Sequence, residues 1–179
     1  MDYTFMTLKA LLTDYNQFKK SKLQLEIMAV LRCSYTEAFE LGKTHCNMIS
    51  TWAILFAIRS YQGSYASFYR QCLTLKLCTK EGFFNVDKID TVDGPGLFTQ
   101  LGLKVNVIKY DKIPDNFDPH QAFQVAINGR HHFIAGASAD DGQAFLFDTN
   151  DRFYGAEIHE ALAQKNDKVD WVKIIELAS

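Results

Sequence analysis

The chain has little of what nucleic acids or membranes select. Nineteen Lys and Arg stand against 21 Asp and Glu, a formal charge of −2, so there is no excess of positive charge to hold a polyanion. Lys19, Lys20 and Lys22 are the one visible basic cluster and read as a solvated helix face. The longest apolar run, around Trp52-Ala53-Ile54-Leu55-Phe56-Ala57-Ile58, is too short and interrupted to span a bilayer, and no basic leader precedes an apolar stretch at the start. A cytoplasmic protein with neither nucleic acid nor membrane as partner is expected. The four cysteines, at positions 33, 46, 72 and 78, lack Cys-x-x-Cys spacing, which disfavours a disulfide framework or a structural zinc site. Free thiols follow, with no metal and no cofactor. Low-complexity linkers and internal repeats are also missing, so 179 residues with 47% hydrophobic content fit one domain over positions 1–179.

What is present divides at mid-chain. Apolar residues three and four apart predict helices over 5–13, about 16–31, about 46–61 and 64–78. From Leu103 onward, β-rich runs at 103–110, 121–127, 131–138, 143–148 and 169–177 alternate with turn signals. Helices first and strands afterwards imply an α+β domain, with a helical N-terminal half packed on a C-terminal antiparallel sheet. The first 35 residues read as an added helical element. Gly94-Pro95-Gly96 opens a helical turn closed by Gly102, and the stretch 115–118 between Pro114 and Pro119 is the best candidate for a mobile loop.

Cys46 sits where the polar Gly42-Lys43-Thr44-His45 gives way to the apolar helix. A thiol in a first helical turn meets unpaired N–H groups and the positive end of the helix dipole, both of which favour a thiolate. Cys33, Cys72 and Cys78 have no comparable setting, and His45 reads as a turn residue beside the thiol.

A base and an orienting acid follow from strand periodicity. In Asn128-Gly129-Arg130-His131-His132-Phe133 a turn at Asn128-Gly129 leads into a strand, and alternation puts His131 and His132 on opposite faces. A three-residue loop at Asp140-Asp141-Gly142 pairs Ala139 with Gln143. Carried back, that register sets His132 opposite Asn150 and diagonal to Asp148, so either can hold the imidazole.

An early Cys at a helix start, a Gly-Pro-Gly-Leu-Phe-Thr-Gln-Leu-Gly-Leu segment, His132-Phe133 opening a strand and Asp148 ending the next resemble the papain-like cysteine peptidase superfamily. Within it, the pattern is most similar to the peptidases that cut bacteriocin leaders after double glycine. The resemblance covers roughly residues 36–160 and implies a papain-like fold, with Cys46, His132 and Asp148 as catalytic triad and Asn150 as alternative orienting residue. It implies a cysteine peptidase or amidase that cleaves a peptide or protein substrate through an acyl-enzyme. Those peptidases carry a Gln about six residues before the Cys to bind the oxyanion, where this chain has Glu40. An ionised Glu40 cannot donate, so either the Cys46 N–H with Lys43, Thr44 or Asn47 does that work or the site is impaired. The alternative is a catalytically inactive papain-like domain that binds a peptide or partner protein. Phe133, Phe145, Phe147, Phe153 and Tyr154 either line a groove for such a ligand or pack the core.

Overall fold

Serine caps set most of the helical half. In the computed structural model, which describes residues 3–85, 96–150 and 155–179, α1 (Tyr3–Thr13) leads to α2 (Lys22–Leu31), α3 (Tyr35–Gly42), α4 (Cys46–Ala57) and α5 (Tyr65–Thr74). Ser21, Ser34 and Ser64 precede α2, α3 and α5, and each side-chain oxygen accepts a first-turn N–H. These bonds satisfy donors that a helix start leaves without internal partners. The helix expected from about residue 16 begins only at Lys22 for the same reason. Asn16 Oδ1 accepts the Phe18 N–H at 2.8 Å and Ser21 Oγ donates to Asn16 O at 2.9 Å, local bonds that compete with a helical ladder.

The described strands form one antiparallel sheet in the order β1-β6-β2-β3-β4-β5, comprising β1 (Val105–Tyr110), β2 (Ala122–Ile127), β3 (His132–Ser138), β4 (Ala144–Phe147), β5 (Ala156–Glu157) and β6 (Val169–Leu177). A short α6 (Leu97–Gln100) precedes β1 and ends at Gly102, whose φ of +71° is the left-handed conformation expected of a closing glycine. Gly94 and Pro95 lie outside the described residues. Helix α7 (Ile158–Lys165), which the apolar spacing does not reveal, joins β5 to β6.

Strand alternation gives the sheet two buried faces. Ala122, Ala135 and Ala137 turn one way, and their small side chains admit Met48, Ile49, Trp52 and Ala53 of α4 together with Leu8 and Leu12 of α1. Phe123, Val125, Ile134, Leu146 and Val172 turn the other way, under Ile158 and Leu162 of α7. The N-terminal element is part of the first core rather than an appendage, since Leu8, Leu12, Leu23 and Ile27 are at most 2% exposed. Each such burial contributes about 1.5–3 kcal/mol. Phe5 stands edge-on to Phe145 and Phe147, with centroids 5.4 and 5.3 Å away, so those two rings pack the core and do not line a groove. Phe153 and Tyr154 lie outside the described residues. The 115–118 stretch is irregular, as its composition predicts, but it is pinned: Phe117 is buried with its ring 4.7 Å from that of Phe123. Among the described residues, no helix is long and apolar enough to cross a membrane.

Candidate functional site

Helix α4 starts differently from its neighbours. Its N-cap residue is His45, and no side chain caps the first turn. The imidazole points away from the helix axis into the core, where Nδ1 lies 2.5 Å from the Tyr65 hydroxyl and Nε2 2.9 Å from Lys80 O. A carbonyl only accepts, so Nε2–H donates to Lys80 and Nδ1 accepts from Tyr65. Gly82, at φ +78°, closes over the ring, and a Cβ there would come within 2.7 Å of it. Burial holds His45 down to about 4, against smaller raising effects from the Lys80 carbonyl and Glu81. His45 therefore adds no positive charge beside the thiol at neutral pH. It fixes the 79–82 loop to the base of α4.

The sign of this shift carries an expected result. An unfolded His45 takes up a proton near 6.5 and the folded one only near 4, so its contribution to stability is present above 6.5 and is lost as pH falls toward 4. The drop in urea midpoint between pH 7 and pH 4.5 should be smaller in His45→Gln, which titrates nowhere in that range, than in wild type. Equal drops would contradict the assignment.

Cys46 occupies the first position of α4 and is 6% exposed. The first-turn N–H groups of Cys46 and Asn47 have no intrahelical acceptor. Across from them, the β3–β4 hairpin adopts the register expected of an odd loop. Ala139 N–H donates to Gln143 O at 2.8 Å, Gly142 has φ +80°, and Ala135 pairs with Phe147. Pairing to β4 ends at Ala135, which leaves His132 and Asp148 beyond the ladder. The β2–β3 connection is longer than a turn at Asn128-Gly129 alone, because Ile127 pairs with His132 and Asn128, Gly129 and Arg130 all have positive φ.

There His132 Nε2–H donates to Asp148 Oδ1 at 2.7 Å, with the two side chains 14% and 0% exposed. Asp148 thus takes the imidazole, while Asn150 supplies its backbone N–H to the same Oδ1 at 3.1 Å. Burial pulls the His132 ring toward its neutral form. Hydrogen bonding to Asp148 and then to Cys46, with the negative charge of both, outweighs that and pushes it up to about 10. Since Asp148 holds Nε2, Nδ1 is the nitrogen left free of that bond. His131 belongs to the 128–131 connection before β3 and is exposed.

The four oxyanion candidates part company. Glu40 and Lys43 pair with each other at 2.7 Å on the surface, and the Thr44 hydroxyl is engaged by Leu41 O at 3.0 Å and Glu81 O at 2.5 Å. Asn47 is held differently. Its Oδ1 accepts from Gln124 Nε2 at 2.9 Å and from Thr51 Oγ1 at 3.4 Å, which leaves Nδ2 as the donor end of the amide. Gln124, buried at the α4–β2 contact, also reaches Ser50 Oγ at 2.6 Å and Thr51 Oγ1 at 3.2 Å. Its sequence signal was modest: one polar residue inside the otherwise apolar Ala122–Ile127.

With His45 turned to Tyr65 and His131 exposed, neither joins Cys46, His132 and Asp148 as a metal ligand. Among the described residues, no group of three His, Cys, Asp or Glu is placed to hold a metal ion. The other thiols sit elsewhere: Cys72 and Cys78 are buried in the helical core and Cys33 is half-buried beside it. Compared with family models, curated proteins and solved structures, the chain matches none.

Proposed function

We propose that the chain is a cysteine peptidase or amidase of papain-like architecture, with Cys46 as nucleophile, His132 as general base and acid, and Asp148 as the residue that orients the ring. The observation that carries this reading is His132, bound to Asp148 at 2.7 Å through Nε2, with Cys46 among the groups that raise its proton affinity. In the reaction, His132 is protonated at neutral pH, Cys46 stands opposite it as the thiolate, and the sulfur attacks the amide carbon. The C–N bond then breaks as the imidazolium protonates the leaving nitrogen. Water, deprotonated by His132, attacks the thioester and releases the acid and free thiol. The Cys46 N–H and Asn47 Nδ2 would stabilise the oxyanion, the role that Glu40 cannot fill. A peptide or protein is the substrate class.

The 6% exposure of Cys46 favours a second reading, in which the domain binds a peptide without turnover. Iodoacetamide labelling separates the two. An enzyme should show alkylation concentrated at Cys46, proceeding at neutral pH far faster than for a free thiol, and lost in His132→Ala. Labelling of the four thiols in proportion to their exposure would sink the catalytic reading.

A further inference from the structure

One buried side chain ties the two ends of this site together, and it comes from the N-terminal element. Gln17 lies in the connection between α1 and α2 and is 1% exposed. Its Nε2 donates to Gly42 O at 3.2 Å and to Lys43 O at 2.9 Å. These are carbonyls at the C-terminal end of α3, which a helix leaves without internal partners, and they lie three and four residues before Cys46. Its Oε1 accepts from Thr149 Oγ1 at 2.8 Å, and its own N–H donates to Thr149 O at 3.0 Å. Thr149 is the neighbour of Asp148. Both amide hydrogens and the amide oxygen are therefore committed, on one side to the backbone that delivers the thiol and on the other to the backbone that delivers the acid.

The segment bearing Gln17 is itself fixed. Lys22 N–H donates to Asp14 O at 3.0 Å, Asn16 N–H donates to Ser21 Oγ at 2.9 Å, and Gln24 Nε2 donates to Asn16 O at 2.8 Å. Leu12 and Leu23, on the two helices it joins, are buried in the core under α4. The strap is anchored before it reaches the site.

We infer that Gln17 is a positioning residue, setting the separation between the Cys46 thiol and the His132–Asp148 pair. The inference rests on the catalytic reading of those three residues. It also assigns work to the N-terminal element, because among the described residues only Gln17 bonds both the 42–43 backbone and Thr149. A thiol and an imidazole exchange a proton only at hydrogen-bond separation, and misplacement by about 1 Å costs up to about a hundredfold in rate.

The test uses the whole chain and reads the pH profile of Cys46 alkylation by iodoacetamide alongside melting. Thr149→Val deletes the hydroxyl at nearly constant shape and removes only the side-chain bond on the acid side, leaving the backbone bond from Gln17 N–H to Thr149 O. Gln17→Leu removes the side-chain bonds on both sides and keeps the same backbone bond. Each should slow alkylation at neutral pH by at least about tenfold and move the profile toward that of a free thiol, while Thr149→Ser, which keeps the hydroxyl, should restore wild-type behaviour within about twofold. A purely structural glutamine would lower the melting temperature and leave the pH profile in place, and that result overturns the inference. If Gln17→Leu does not fold, Thr149→Val against Thr149→Ser decides alone. A wild-type profile that His132→Ala does not change would overturn the catalytic reading and this inference together. A profile sensitive to His132→Ala but indifferent to Thr149→Val would overturn this inference only.

Discussion

Cys46→Ala is expected to leave no detectable cleavage of any peptide the wild-type chain hydrolyses, a loss of at least about 10⁴-fold, while melting stays within a few degrees of wild type. The two halves of this expectation have separate causes. Rate is lost because no other sulfur can substitute: Cys72 and Cys78 lie in the helical core, and Cys33 is not among the groups that act on the His132 ring. Stability is kept because only one heavy atom leaves, and the first turn of α4 gains or loses no cap, having none to begin with. A void of that size costs about 1 kcal/mol. The same variant should also weaken the base. Cys46 is one of the groups that raise His132 to about 10, so its removal must lower the proton affinity of the ring, a change visible in the imidazole NMR titration. Cleavage at the wild-type rate by purified Cys46→Ala would remove the thiol from the mechanism.

How much of this site was legible in the chain depends on how far each contact reaches. The pairing of His132 with Asp148 rests on two local facts, the period-two alternation of strands and the count of residues at Asp140-Asp141-Gly142, and both can be read without knowing the rest of the fold. The α+β division and the starts of α4 and β3 are equally local. α3 was also within reach, because Ser34 and Glu37 have the spacing of a helix start, but eight residues carry too little periodicity to announce themselves. Gln17 was not legible. It bonds to Thr149 across 132 positions, and within Asp14-Tyr15-Asn16-Gln17 a polar residue gives no local sign that it will be buried. Glu40 is the converse case. The resemblance sets it at the position of an oxyanion donor, a role an ionised carboxylate cannot fill, and its geometry is that of an exposed carboxylate facing Lys43 one helical turn on. Register and capping are written locally. The contacts that join the helical half to the sheet exist only once both have folded.

Asp148→Ala should give the largest change in the base. With the carboxylate gone, its hydrogen bond and its charge both leave the ring. Burial, which opposes protonation, is then resisted only by Cys46. Loss of an adjacent opposite charge is worth about 1–3 pH units by itself, so His132 should fall from about 10 by at least that much, and the fast alkylation of Cys46 that the catalytic reading expects at neutral pH should go with it. Stability should respond in a defined window. His132 is raised in the folded chain above its ordinary 6.5, so the stability it draws from Asp148 is fully present below 6.5 and disappears as pH rises through about 10. The margin of wild type over Asp148→Ala, measured as a urea midpoint, should therefore be widest near pH 6 and close on the way to pH 10. The margin itself should be modest, because Asp148 Oδ2 is buried without a hydrogen-bond partner among the described residues. Such an atom costs about 1–3 kcal/mol or more, which the alanine variant recovers. A carboxylate kept at that cost makes sense if its return is the basicity of His132. A margin that stays constant from pH 6 to pH 10 would show that Asp148 serves packing alone.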